Sequence, residues 1–244
     1  MKKIYFILSV IFYSAFLNAS AWIDLESGAV FTGYNDVQIP SDKGTKFSLK
    51  NDISPKTRPF YRIQIGYRFN EKHNLFALYA PLTVKSSSRI SKDISFQGTT
   101  FTEGTDVNAT FRFDSYRLTY TYTFYRTDSF FFSAGITGKI RDAEIKLSDA
   151  DKSASRKNTG FVPLIHLNIE WFPKKNISFM IDGDGLVAPQ GRAEDFLFAF
   201  KYHFDNNIDI RAGYRFLEGG SDGGGDVYTF SMFNYIITGV QYSF

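Results

Sequence analysis

His166, Asp182 and Asp184 are the residues of this chain whose types and spacing best suit joint chemistry. They flank a short polar break at 173–176. Strands paired antiparallel across that break have residue numbers summing to about 348–350, which sets His166 opposite Asp182 or Asp184 on one face. An imidazole between carboxylates can act as a general base on a water molecule, and Arg215, two strands further on, can orient an anionic group. That constellation would serve a hydrolase acting on lipid or peptide. The plainer reading is an ionic network that fills a narrow interior and fixes strand register. Arg62, Arg68, Arg117, Glu170, Arg211 and Arg215 fall on the same face and belong to that network, and Lys139, Arg141 and Lys201 also require partners there. Small barrels are normally filled by such side chains, so the network is preferred. His166, Asp182 and Asp184 stay as catalytic candidates, none of them assigned.

A period of two runs through the elements that must hold these residues. Residues 110–126 set Tyr116, Leu118, Tyr120, Tyr122 and Phe124 against Ser115, Arg117, Thr119, Thr121 and Thr123. Such alternation describes a strand with one apolar and one polar face. Similar segments at 22–34, 59–69, 74–86, 129–141, 159–172, 177–187, 194–204, 208–217 and 227–244 bring the strand candidates to ten. Each is near the ~9–11 residues that cross a bilayer at a tilt. Connections near residues 71, 127, 174 and 206 are short, whereas 35–57, 85–109, 142–158 and 218–226 read as longer polar loops. Tyr67, Phe69, Tyr122, Phe124, Phe130, Trp171, Tyr202, Phe204 and Phe244 gather toward the short-turn end.

Bulk properties agree with a shell that is apolar outside and polar within. Of 244 residues, 27 are Phe and 15 Tyr, so aromatics make up 18%, yet mean hydropathy is only −0.20. A net charge of +3 implies no broad basic surface for nucleic acid, and the absence of cysteine excludes thiolate metal sites. Residues 1–21 have the form of a cleaved secretory signal peptide: basic Lys2 and Lys3, an apolar run at 4–17, then Ala19-Ser20-Ala21. No other apolar run reaches the length of a membrane-spanning helix, so any membrane insertion of the exported chain must use strands.

The last segment ends on alternating Ile236, Thr238, Val240, Tyr242 and Phe244. This ending resembles the C-terminal signature of bacterial outer-membrane β-barrel proteins, in which a terminal Phe is read by the insertion machinery. The resemblance implies an all-β fold, a transmembrane antiparallel up-and-down barrel of about ten strands (eight if one hairpin lies outside the membrane), over residues 22–244. It further implies an integral outer-membrane location, short turns facing the periplasm, and partners in outer-membrane lipid and in the assembly machinery that reads Val240, Tyr242 and Phe244. The expected function is non-enzymatic, a narrow pore or a structural and surface-interaction barrel with a charged, largely filled lumen. No cofactor or metal is expected, and an excess of lumenal bases would favour small anionic solutes. Ten-stranded outer-membrane proteases carry an Asp/His pair at the extracellular rim; His166 falls near mid-barrel instead, so that activity is not carried over. Ser178 shares the inner face, while His73 and His203 sit by turns and make no convincing pair with it for acyl transfer. Glu218, Asp222 and Asp226 lie in a Gly-rich stretch whose spacing matches no calcium loop.

Overall fold

The computed structural model describes residues 20–244. The leader expected over 1–21 lies outside the described residues except for Ser20 and Ala21, which begin the first strand opposite Arg68 and Tyr67. The strands are β1 (Ser20–Gln38), β2 (Phe47–Ser48), β3 (Arg58–Phe69), β4 (His73–Ala80), β5 (Thr83–Arg89), β6 (Ile94–Phe96) and β7 (Thr99–Phe101). They continue with β8 (Asp106–Arg126), β9 (Phe130–Ser148), β10 (Ser153–Lys174), β11 (Ile177–Ala188), β12 (Gly191–His203), β13 (Ile208–Asp222) and β14 (Tyr228–Ser243).

Ten of these form a closed antiparallel meander, β1-β3-β4-β8-β9-β10-β11-β12-β13-β14, and β14 returns to pair with β1 from Trp22↔Ser243 to Gln38↔Tyr228. Closure removes both sheet edges, which is what allows strands to meet hydrocarbon. β5 prolongs β4, both pairing with β8 in one register that Pro81 merely interrupts.

The period of two sorts the side chains as expected. Leu118, Ile136, Phe161, Ile165 and Ile236 point away from the axis and are more than half exposed, while Arg117, Thr119, Thr137 and Lys139 are buried inside. At the short-turn end Tyr67–Phe69, Tyr122–Phe124, Tyr202–Phe204 and Tyr242–Phe244 pack as ring pairs 4.7–5.0 Å apart, a girdle of amphipathic rings. Asn70 and Asn207 turn those short connections with positive φ of 51° and 64°, a conformation that Asn tolerates better than most residues.

The long-loop end departs from expectation. The segments at 35–57 and 85–109, expected as polar loops, fold into a cap. Ile39, Phe47, Ile53, Ile94, Phe96 and Phe101 are buried together there, and β6 and β7 make a hairpin turned by Gln97 and Gly98, both with φ > 0. The apolar residues of these segments are spread singly among charged ones, so they carry no periodic signal. Their burial comes from packing against the inner face of the tall strands β8 to β10 through Val107, Ala109 and Leu147.

The rim is uneven. β9 and β10 pair up to Ser148↔Ser153, but β11 turns back at Ala188↔Gly191 through Pro189 and Gln190. That turn is a tight hairpin, with Gly191 at φ +140°, a backbone region strained for any residue with a Cβ.

Candidate functional site

The charged residues of the inner face meet at mid-height. His166 lies opposite Asp184 and Asn168 opposite Asp182. The buried His166 ring places Nδ1 3.0 Å from Asp184 Oδ1 and Nε2 3.4 Å from Asp182 Oδ2. Both ring nitrogens face carboxylate oxygens, and an imidazole that donates to both has no lone pair left to take a proton from water. Asp184 is itself engaged by Thr137 Oγ1 and Arg117 Nη1, each at 2.6 Å.

From Arg117 a chain of ion pairs crosses the lumen. Its Nη2 donates to Asp195 at 2.5 Å, and Asp195 also accepts from Arg62 at 3.0 Å and Arg215 at 2.7 Å. Arg215 donates through Nε to Glu26 at 2.9 Å, and Glu26 accepts from Arg211 at 2.9 Å. Arg211 ends the chain in a two-pronged pair with Asp24. Four guanidinium groups thus meet five carboxylates and one imidazole. Asp24, Glu26, Asp195, Arg62, Arg117 and Arg215 are all at most 6% exposed, so each unit of charge depends on its partners. Gly239 makes one span possible: a Cβ there would lie 2.6 Å from the Arg211 guanidinium carbon, which passes over β14 to reach β1.

Arg62, Arg117, Arg211 and Arg215 are brought together, and Arg215 reaches Glu26 and Asp195, making no ion pair with Asp182 or Asp184. Arg68 is set apart in the vestibule at the short-turn end, with no ion pair among the described residues. Sequence reasoning overlooks the acids Asp24, Glu26 and Asp195. Their parity, opposite Leu25 and Phe196, places them inside, yet their partners sit on distant strands.

Glu170 belongs to a second cluster below the first. It lies 3.4 Å from Lys201, which reaches Asp209 at 3.1 Å. Asp209 Oδ1 is 2.9 Å from His203 Nδ1, and His203 Nε2 is 2.9 Å from Ser178 Oγ. This is the order of a serine nucleophile, its base and an orienting acid, although no convincing Ser/His pair is expected from the sequence. Ser178 is 0% exposed, however, and also contacts Glu170, so no substrate carbonyl can approach its Oγ. The folded protein is therefore expected to take no label from a fluorophosphonate probe; stoichiometric labelling lost in Ser178→Ala would reveal a working nucleophile.

The ionic layer divides the interior. Toward the short turns lies a vestibule of about 290 Å³ lined by Trp22, Arg68, Glu170 and Asp209. Toward the long loops lies a cavity of about 540 Å³ lined by Phe111, Lys139, Leu186, Leu217 and Phe233. The two cavities share no lining residue. A separate void of about 10 Å³ lies beside Arg62, Arg117 and Leu82, where the β3–β4 ladder ends. Glu218 pairs with Arg192 at 2.7 Å and Asp226 with Arg156 at 3.1 Å, so two acids of the Gly-rich stretch are held by arginines. The outward Val240, Tyr242 and Phe244 are 40%, 40% and 72% exposed, and the Phe244 N–H donates to the Ala21 carbonyl at the seam.

No family model matches the sequence, and no curated protein matches it by sequence. Solved structures do match in shape. The outer-membrane protease OmpT of Escherichia coli is 10% identical, with 92% of this chain and 97% of that chain covered at a TM-score of 0.55. The attachment invasion locus protein Ail of Yersinia pestis is 13% identical over 92% and 99% at a TM-score of 0.42. Neisserial surface protein A is 14% identical over 93% and 99% at 0.35. At such identities the likeness is one of fold: a closed, ten-stranded antiparallel barrel of the outer-membrane type.

Proposed function

We propose that this chain is an integral protein of a bacterial outer membrane that works without catalysing a reaction. In this reading it is a barrel closed at mid-height, whose working part is the half beyond the ionic layer. The short turns face the periplasm and the capped end faces outward, the orientation usual for such barrels. The observation that carries the reading is the buried layer from Asp24 to Asp182, which lies between two cavities that share no lining residue. A layer in which each buried charge faces an opposite charge holds strand register and closes off a continuous water path. The outward Val240, Tyr242 and Phe244 suit recognition by the assembly machinery as the chain inserts.

A hydrolase based on His166 with Asp182 or Asp184 is the competing reading, and the occupation of both ring nitrogens weighs against it. Planar-bilayer recording separates pore from plug. Folded protein is expected to give no stepwise conductance above background, and reproducible steps from intact chains would overturn the closed-lumen reading.

A further inference from the structure

The cavity on the outer side has a side opening. The ladder between β10 and β11 stops at Ile165↔Gly185, although β10 continues to Ser153 with β9 as its partner. It stops within two residues of Pro163, which has no N–H to give to a ladder. Residues 153–164 therefore line a notch whose other side is the low β11–β12 hairpin. Above the hairpin tip, Arg156 reaches across to Asp226 at 3.1 Å. The lips of the notch are apolar and face out: Phe161 is 66% exposed and Val187 72%. On β10 the outward residues below Phe161 are apolar down to Trp171, and Thr159 and Lys157 lie above it, so the notch sits at the outer margin of the lipid-facing band.

The cavity behind the notch reaches down to Lys139, paired across β8–β9 with Arg117, and has Ile39 of the cap and Val227 in its wall. Its volume of about 540 Å³ falls in the range of small-molecule sites. Lys139 lines it while only 2% exposed, and no hydrogen-bond or ion-pair partner of its amine is found among the described residues. Its Nζ lies over the Phe113 ring, 4.7 Å from the centroid. The Arg141 guanidinium beside it has an unsatisfied buried Nε. The acids lining the cavity are engaged elsewhere, Glu218 with Arg192 and Glu144 with Arg112 and Lys157. The ionic layer below has spent Asp184 and Asp195 on arginines. An amine buried without a partner in an apolar chamber keeps its proton only at a cost, which an anion joining it would offset. Phe111, Ile145, Leu186 and Phe233 offer that anion's body an apolar surface. By contrast, where the β3–β4 ladder ends at Ile63↔Tyr79, the gap is filled by Phe60 and Leu82 and leaves about 10 Å³.

We propose that this cavity binds a single-chain anionic amphiphile of the fatty-acid class. The ligand enters sideways from the outer leaflet through the β10–β11 notch, with its carboxylate at Lys139 and Arg141 and its chain against the apolar wall. The inference rests on the closed-lumen reading, which makes the cavity a blind chamber, but it is tested independently of it.

The experiment is equilibrium binding of radiolabelled palmitate to the refolded full chain in a non-ionic detergent. One palmitate per chain is expected. Lys139→Met removes the buried amine and is expected to fold at least as well as the parent while binding at least tenfold more weakly, the loss of one charge-assisted contact. Leu186→Trp narrows the chamber without touching charge and is expected to abolish binding. Hexadecanol, with the same tail and no charge, is expected to compete at least tenfold less well than unlabelled palmitate. No palmitate binding, or equal binding by the parent and Lys139→Met, would overturn the proposal. So would full displacement by millimolar inorganic phosphate, which would assign the site to free anions. A failure here with a silent bilayer leaves the closed lumen standing; conductance steps alongside palmitate binding would remove the closed lumen and keep the ligand.

Discussion

Asp195→Ala is expected to destabilise the folded barrel by about 3–5 kcal/mol, the cost typical of removing one partner from a buried ionic cluster. Asp195 is 2% exposed and takes hydrogen bonds from Arg62, Arg117 and Arg215, which have Glu26 and Asp184 as their other carboxylate partners. Without it three guanidinium groups crowd a dry interior with one counter-charge fewer, and like charges then repel at short range. Asp195→Asn keeps an acceptor while losing the charge, so its effect should fall between parent and alanine. Glu194, next in the chain but on the outer face, makes no ion pair among the described residues. Glu194→Ala should therefore change stability by no more than about 0.5 kcal/mol. Urea unfolding in lipid vesicles, followed by the mobility of unheated samples on gels, gives all three values. Equal effects for Asp195→Ala and Glu194→Ala would show that the layer does not hold the barrel together.

The fold is legible in the sequence because barrel strands obey one rule, outward apolar and inward polar, at every second residue. The rule locates ten strands and places His166 opposite Asp184, since a hairpin across a short turn has one register. It cannot tell which charges meet across the lumen. Arg211 and Asp24 are 187 residues apart and touch because β14 closes on β1 and Gly239 is small enough to pass under a guanidinium. The inner face of the last strand carries no charge, and at Gly239 it is the passage through which β13 and β1 are tied. The cap hides for another reason. Ile39, Ile53 and Phe96 are single apolar residues in polar surroundings, and only the tall β8–β10 wall gives them a common surface. The notch is equally silent, because it is a difference in height between neighbouring strands and Pro163 alone does not reveal where pairing stops.

Ile136→Arg carries the second large expected effect and tests the outer face directly. Ile136 is 68% exposed, midway along β9 between Phe130 and Asp142, with Tyr120 and Ile165 beside it in the band. An arginine facing lipid at mid-membrane costs about 2–4 kcal/mol, whereas near the interface the cost falls to about 0–1 kcal/mol. Phe130→Arg, at the short-turn girdle, should accordingly be mild, since its guanidinium can reach water. The gradient matters more than either value. Both positions are outward and aromatic or aliphatic, so loss of packing alone predicts a larger penalty for the bulkier Phe130. Depth in a bilayer predicts the opposite order. Unfolding of the two variants in vesicles of one lipid composition decides between these orders, and an Ile136→Arg chain as stable as the parent would mean that the apolar face does not meet hydrocarbon.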